Sequence, residues 1–204
     1  QFNSDDRALI AMPSYGGLAP EVAIERFKKI SGNGAKCTIV CVYGNRAYED
    51  TLVQMEDVAK ECGFDVIAAV AAVAEHSIMH QYAAGRPDAD DEKQLETFAE
   101  QISVKEGTVT SVPGNRPYKK GGGAGLVPKV TADCVKCGLC AESCPVKAID
   151  QHSFKADSKS CISCMRCVSQ CPHNARKVSG VMVGIVGLAL KKACSLRKEN
   201  ELYL

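Results

Sequence analysis

The pattern Cys-x-x-Cys-x-x-Cys-x-x-x-Cys-Pro occurs twice in this chain, and no other feature of the sequence restricts the fold so strongly. The second copy follows the first at a spacing of 27 residues. The two runs contain Cys134, Cys137, Cys140, Cys144 and Pro145, and Cys161, Cys164, Cys167, Cys171 and Pro172. Ala148 and Ala175 correspond at the same spacing, which indicates an internal duplication with pseudo-two-fold symmetry.

This spacing predicts two [4Fe–4S] clusters. Three thiolates separated by two residues each can bind three irons of one cubane while the chain wraps closely around it, so the fourth ligand comes from elsewhere. In bacterial runs of this type, the last cysteine ligates the other cluster. We therefore assign the cysteines to two sets: Cys134, Cys137, Cys140 and Cys171 for one cluster, and Cys161, Cys164, Cys167 and Cys144 for the other.

Zinc and disulfide bonds are the alternatives for so many cysteines. Paired Cys-x-x-Cys elements also build tetrahedral zinc sites, but such a site has no use for a third cysteine two residues further on. A disulfide framework is disfavoured because nothing marks the chain as secreted. Residues 129–178 resemble bacterial-type two-[4Fe–4S] ferredoxins, which implies a ferredoxin-like domain over this range.

Composition separates this domain from its surroundings. Residues 1–106 carry ten Lys or Arg against eighteen Asp or Glu, whereas residues 129–178 carry eight against four. The intervening residues 107–128 contain six Gly and three Pro, which predicts a linker. Its glycine run at 121–125 has no preceding strand and no following Lys-Ser/Thr, so it is not interpreted as a phosphate-binding loop.

The C-terminal part, residues 179–204, is predicted to be a helix and a tail. The apolar run at 181–190 is too short to span a bilayer. No export signal is recognised at the N-terminus. Together with abundant iron–sulfur cysteines, this predicts a cytoplasmic location in an anaerobe, because exposed clusters are oxidised by oxygen. Neither a nucleic-acid partner nor a membrane span is expected, and the oligomeric state is left open.

The first 106 residues alternate between apolar runs and helical patterns. Three apolar runs with little polar alternation predict buried strands at 7–12, 37–43 and 65–73. Helical spacing predicts helices over about 20–30, 48–62 and 88–102. Strand and helix repeated three times predict a parallel sheet covered by helices, with a ligand site at the carboxyl ends of the strands.

Four short motifs at those strand ends carry a second resemblance. They lie at residues 13–17, 42–50, 75–77 and 85–87. In this order, and followed by the cysteine runs, they resemble the flavodoxin–ferredoxin fusion proteins. The resemblance implies FMN as a cofactor of the first domain. It also implies seven candidate flavin-facing residues: Tyr15, Gly16, Gly17, Tyr43, Gly44, Asn45 and Arg46.

The chain departs from the flavodoxin pattern at its beginning. A flavodoxin-like domain opens with a strand and a loop whose N–H groups and hydroxyls hold the FMN phosphate, and that element is absent. We therefore expect only the C-terminal part of a flavodoxin-like domain, poor binding of FMN by this chain alone, and an exposed apolar sheet edge at residues 8–12.

The predicted fold class is α/β plus α+β. It consists of a partial flavodoxin-like parallel sheet with helices on both faces, linked to a two-cluster ferredoxin-like domain and a C-terminal helix. Four cysteines lie outside the cluster spacing and are expected to be buried apolar residues: Cys37, Cys41, Cys62 and Cys194. His76, at a strand end, is interpreted as a structural residue.

The predicted function is electron transfer between the clusters and a redox partner protein, coupled to FMN in the intact protein. No catalytic residue is assigned, because no nucleophile set or carboxylate pair stands in a recognisable motif. Two alternatives stay open: a flavin-dependent reductase that uses the clusters as an internal wire, and a non-enzymatic redox or iron sensor.

Overall fold

The computed structural model describes residues 2–119 and 125–204, which form two compact units. Within the described residues, the first unit consists of 2–76, 80–119 and 193–204, and the second consists of 77–79 and 125–192. The glycine run predicted not to bind phosphate lies, apart from Gly125, outside the described residues. Each unit is built from its own short elements.

The elements follow one another as six strands and six helices in the described residues. They are β1 (Arg7–Pro13), α1 (Glu21–Phe27), β2 (Lys36–Tyr43), α2 (Thr51–Glu61), β3 (Asp65–Val73), α3 (Ala89–Ser103), β4 (Lys129–Val130), α4 (Leu139–Glu142), α5 (Arg166–Ser169), β5 (Arg176–Lys177), α6 (Gly180–Cys194) and β6 (Glu201–Tyr203).

The first unit is built on a four-stranded sheet in the order β1-β2-β3-β6. β1 pairs with β2, and β2 pairs with β3, both in parallel. Parallel neighbours need a crossover connection, which α1 and α2 supply. The three predicted strands and the parallel pairing are confirmed. The expected burial is wrong for β1, where only Met12 is buried because the strand lies at the edge of the described sheet. The fourth strand was not predicted, and it pairs with β3 in the antiparallel direction.

The core of this unit lies between the sheet and the helices α1 and α2. Leu52, Met55 and Ala59 lie at helical spacing on one face of α2, and all three are fully buried. They pack with strand residues such as Ile39, which is also fully buried. Burying a side chain of the size of leucine contributes about 1.5–3 kcal/mol.

The outlying cysteines behave largely as predicted. Cys37, Cys41 and Cys194 are buried and Cys62 is half-buried, and none of the four forms a disulfide. Burial raises the pKa of both the Cys37 and the Cys41 thiol to about 12. These two thiols therefore stay protonated at neutral pH and serve as small apolar residues.

β1 is the edge strand of the described sheet, as predicted. Leu9 is 73% exposed, whereas Met12 near the end of the strand is buried. The exposed apolar edge is therefore confirmed for the middle of the strand. An edge of this kind presents unpaired backbone groups and is a template for pairing with another strand.

The segment after α6 belongs to the first unit, and its strand lies at the edge of the sheet opposite to β1. Its strand β6 pairs with β3 through Leu202 and its two neighbours. Asn200 is buried, accepts a hydrogen bond from the Val73 amide (2.8 Å), and donates to Asp91 Oδ1 (3.0 Å). Asp91 in turn forms a buried ion pair with Arg86. The C-terminal segment is thus attached by polar contacts that join three separate parts of the chain.

Residues 107–119, the first part of the predicted linker, are bonded to the same unit. The carboxylate of Asp50 accepts hydrogen bonds from the Asn115 amide (2.8 Å) and the Lys119 amide (2.8 Å). These backbone donors lower the pKa of Asp50. Arg116 contacts Asp57, and the Val109 amide donates to the Val66 carbonyl (2.8 Å).

The second unit contains little regular structure apart from α6. β4 and β5 form a two-stranded antiparallel sheet, and α4 and α5 are single turns that pack against each other. The predicted C-terminal helix is present as α6, and several of its apolar side chains are exposed, among them Val181 and Leu188. Across the described residues, none of the helices is long and apolar enough to cross a membrane.

We expect Asp91→Asn to lower the free energy of unfolding of the first unit by about 3–5 kcal/mol, because it leaves the buried Arg86 cation without its carboxylate. Arg86 lowers the pKa of Asp91. The stabilisation is therefore present above the unfolded-state pKa of about 3.9 and is lost as the pH falls toward the lower folded-state value.

The measurement is urea unfolding of the full chain, followed by circular dichroism from pH 7 to pH 3. The matched control is Asp90→Asn, since Asp90 is the neighbouring carboxylate on the same helix and is exposed. Equal losses in the two variants would contradict the role assigned to the ion pair.

Candidate iron–sulfur site

The second unit contains two cavities, and each is lined by four cysteines. The first cavity, of about 340 Å³ including its open side, is lined by Cys134, Cys137, Cys140 and Cys171. The second, of about 360 Å³, is lined by Cys144, Cys161, Cys164 and Cys167. In each case three cysteines come from one run and the fourth comes from the other run. This is the grouping predicted from the spacing, while ligation itself stays a prediction.

The cysteines are spread around the cavities and do not meet at one point. Within residues 2–119 and 125–204, no three His, Cys, Asp or Glu side chains come close enough together to hold a single metal ion. This spacing of the sulfurs suits a cubane, which binds each cysteine at a different iron, better than a single metal ion. Each cavity has a lining of four sulfurs and apolar surface, which is the environment that [4Fe–4S] clusters use.

The backbone around the two cavities repeats with the spacing of the cysteines. α4 and α5 are both four residues long and begin 27 residues apart. Three pairs of positions with left-handed backbone also repeat at this spacing, and five of the six residues are not glycine. The pairs are Lys136 (φ 59°) with Ser163 (54°), Gly138 (86°) with Met165 (58°), and Lys147 (53°) with Asn174 (49°).

Left-handed backbone is unfavourable for residues other than glycine, and it persists only where the surrounding structure requires it. Here it occurs one to three residues from cavity cysteines such as Cys137 and Cys164. The turns reverse the chain within each run. They allow successive cysteines to line the same cavity, even though the residues at these turns have side chains that disfavour the conformation.

The last cysteine of each run accepts a backbone hydrogen bond. The Ala148 amide donates to Cys144 Sγ (3.2 Å), and the Ala175 amide donates to Cys171 Sγ (3.3 Å). These two bonds are related by the pseudo-two-fold symmetry. A donor to a thiolate stabilises its negative charge, and such donors are one of the means by which proteins set the potential of a cluster.

The two cavities differ in exposure. Cys137 of the first cavity is exposed, and the other seven cavity cysteines are half-buried. Its neighbours Val135 (59%) and Leu139 (40%) are also exposed. At the equivalent places in the second run, Cys164 and Ile162 are half-buried and Arg166 is exposed. The first cavity is therefore the more accessible at its Cys137 and Val135 positions.

One charged residue near the cavities was not found by sequence reasoning. Arg176 lines the first cavity and is only 2% exposed. Burial raises the pKa of the Cys167 thiol, while hydrogen bonding and charge from Arg176 act in the opposite direction. Alignment of the two halves could have identified it, because Arg176 stands where the other half has the apolar residue Ile149.

The candidate flavin-facing residues after β1 remain partly accessible. Tyr15 is half-buried, Gly16 is exposed, and Gly17 is buried. A side chain at Gly17 would collide with Glu49, because an added Cβ would lie 1.9 Å from its carboxylate oxygen. Gly17 is thus required by close packing inside the unit, whereas Tyr15 and Gly16 lie at the surface.

Two of the candidates at the end of β2 and just after it are buried in contacts of the protein itself. Tyr43 is 3% exposed, and burial raises its pKa to about 12. Asn45 is also buried, and its amide donates to the carbonyls of Cys194 (3.0 Å) and Leu196 (2.9 Å). Its oxygen accepts from the Lys198 amide (3.1 Å). The side chain of Asn45 therefore holds the C-terminal segment. Both side chains are buried, and their flavin-facing role stays a prediction.

Gly44 and Arg46 have local partners. An added Cβ at Gly44 would lie 2.9 Å from His76 Cα, so the glycine allows the two loops to approach closely. Arg46 forms an ion pair with Glu49 (2.8 Å) and remains half-buried. Desolvation lowers the pKa of His76. These contacts hold together the loops at the carboxyl ends of β2 and β3.

Comparison with known protein families gives one match, a 4Fe-4S dicluster domain over residues 133–175. No curated protein and no solved structure matches the chain. The matched segment contains all eight cavity cysteines. Residues 133–175 are therefore a ferredoxin-like iron–sulfur domain, and the domain type is that of iron–sulfur electron transfer.

The exchange of the fourth cysteine predicts the outcome of two double substitutions. Cys137→Ala with Cys171→Ala removes two ligands of one cluster, so we expect about half of the wild-type iron to be retained. Cys137→Ala with Cys144→Ala removes one ligand from each cluster, so we expect both clusters to be lost or labile. Iron and acid-labile sulfide of anaerobically purified chains measure the difference.

Cys62→Ala is the matched control, because Cys62 is a half-buried cysteine outside the cavities. It is expected to leave the iron content unchanged. The reverse order of the two double variants would mean that each run supplies all four ligands of its own cluster.

Proposed function

We propose that this chain transfers single electrons through two [4Fe–4S] clusters, one in each cavity of the second unit. The observation that carries the proposal is the lining of each cavity by four cysteines, three from one run and one from the other. When bound, the clusters supply reversible one-electron chemistry at low potential. The protein contributes the binding, the surroundings and the charge stabilisation of the clusters.

The residues of the chain bind the clusters, restrict water and stabilise charge. Phe154, Ala175 and Ile149 are buried beside the cavities and keep water from them. The Ala148 and Ala175 amides donate to cysteine sulfurs and favour their thiolate form. Because each run gives its last cysteine to the other cavity, α4 and α5 connect the two sites by single turns of backbone.

The partner is proposed to be another redox protein. The exposed Cys137, with the exposed Val135 and Leu139 beside it, supports access to the first cavity for such a partner. Residues 129–178 carry eight basic against four acidic side chains, which favours a partner with an acidic surface. We also propose that the protein is located in the cytoplasm of an anaerobe, because exposed clusters are oxidised by oxygen.

Coupling to FMN is the finer proposal, and it rests on the resemblance to flavodoxin–ferredoxin fusion proteins. The parallel strands β1 to β3 support it, as do the accessible Tyr15 and Gly16. Tyr43 and Asn45 do not support it, because both are buried in contacts of the protein itself. We therefore derive no step through FMN. Flavin analysis of the protein purified from its native cells tests this proposal, and absence of flavin there would reject it.

Two other functions predict different behaviour of the clusters and of the substrate. A flavin-dependent reductase would reduce an organic substrate without any protein partner. A non-enzymatic sensor would have clusters that respond to oxygen or iron and that cannot be reduced reversibly. Both would also hold clusters in the two cavities, so they differ from electron transfer in the need for a protein partner and in the reversibility of reduction.

We expect the anaerobically purified chain to contain two cubanes, to be reduced by dithionite, and to pass about two electrons to the one-electron acceptor cytochrome c. The readouts are the electron paramagnetic resonance signal of the reduced clusters and the absorbance of cytochrome c. The variant Cys137→Ala with Cys144→Ala is the control and is expected to transfer none. Two intact clusters that cannot be reduced would contradict electron transfer and favour the sensor.

A further inference from the structure

Arg176 is the largest fully buried side chain of the chain's described residues. It lies at the start of β5 and lines the first cavity. One guanidinium nitrogen donates to the Phe154 carbonyl (2.5 Å), and the other terminal nitrogen is 3.4 Å from the Pro128 carbonyl. Two carbonyl groups from separate segments therefore hold the guanidinium in one position.

The charge of Arg176 has no carboxylate partner in the part of the chain that the structure describes. Its two protein acceptors are neutral carbonyls, and its Nε is buried without an acceptor. A buried cation without an anion is strongly unfavourable. The position is therefore explained only if negative charge is present nearby, and a cubane held by four thiolates supplies it.

The geometry places this cation at the first cavity. Arg176 lines the first cavity, and its counterpart Ile149 lines the second. The charge therefore adjoins the site of the first cluster.

The pseudo-two-fold symmetry is broken at this position. The counterpart of Arg176 in the other half is Ile149, which is buried (6% exposed) and carries no charge. The backbone turns and the N–H donors to sulfur repeat in both halves. The buried cation is the marked electrostatic difference between two otherwise matched environments.

We propose that Arg176 raises the reduction potential of the cluster in the first cavity and so makes the two clusters inequivalent. This rests on the proposed electron transfer. Reduction adds one negative charge to the cluster, and a fixed cation in a dry environment stabilises the reduced state more than the oxidised state. Arg176 is a tuning residue, and it neither ligates iron nor contacts a substrate.

The test compares three substitutions in the full, anaerobically purified chain. Arg176→Met and Arg176→Gln remove the charge, and Arg176→Lys retains it. At a fixed ambient potential near the midpoint of the first cluster, the two neutral variants are expected to have a reduced-to-oxidised ratio at least tenfold lower than wild type. For a one-electron couple this corresponds to a downward shift of about 59 mV. The lysine variant is expected to shift less.

The matched control is Arg166→Met. Arg166 lines the second cavity but is exposed, so water screens its charge. Its removal is expected to change the ratio far less than removal of Arg176. Potentiometric titration gives the midpoints, and hyperfine-shifted NMR signals of the cysteine β-protons assign each midpoint to one cluster.

Unchanged midpoints in Arg176→Met and Arg176→Gln, with full iron and sulfide, would overturn the proposal. Loss of both clusters in all three variants, including the charged lysine variant, would also overturn it, because the residue would then have a purely structural role. A wild-type chain without two reducible cubanes would instead reject the proposed function. Measurement of the wild-type chain alone therefore distinguishes failure of the proposed electron transfer from failure of the role proposed for Arg176.

Discussion

The exchange of one cysteine between the two runs is the constraint on which the second unit depends. Neither run lines its cavity with four cysteines alone, and Cys144 and Cys171 each complete the cavity of the other half. A segment with so few regular elements has little apolar core, and small domains of this kind need an additional source of stability. Metal binding can provide it, since the free energy of ligation is also free energy of folding.

The same exchange brings the two sites close together, so that a charge near one site also affects the other. α4 and α5 pack against each other, and Arg176 affects a ligand of one cavity while it lines the other. Duplication alone would produce two equal sites. The exposed Cys137, the buried Met165 and the substitution of Ile149 by Arg176 across the duplication make them different, and unequal sites give a direction to electron flow.

The first unit depends on a different contact, the return of the C-terminal segment. Asn200 and Lys198 bind to the buried Arg86–Asp91 pair and to Asn45, and β6 extends the sheet beyond β3. This segment occupies polar groups at the carboxyl ends of the strands, where open parallel sheets bind ligands. The loops that resembled flavin-binding loops therefore have an internal partner at Asn45.

The sequence by itself determined the elements whose signals are local. The three parallel strands, the buried face of α2 and the dicluster domain all follow from periodicity or spacing within a few dozen residues. Only the tertiary structure decided the position of β6, the inward orientation of Tyr43 and Asn45, and the burial of Arg176. These depend on contacts between residues far apart in the chain, such as Asn45 with Leu196. A charged or polar side chain carries no local signal of burial, because its environment is set by the distant carbonyls and carboxylates that satisfy it.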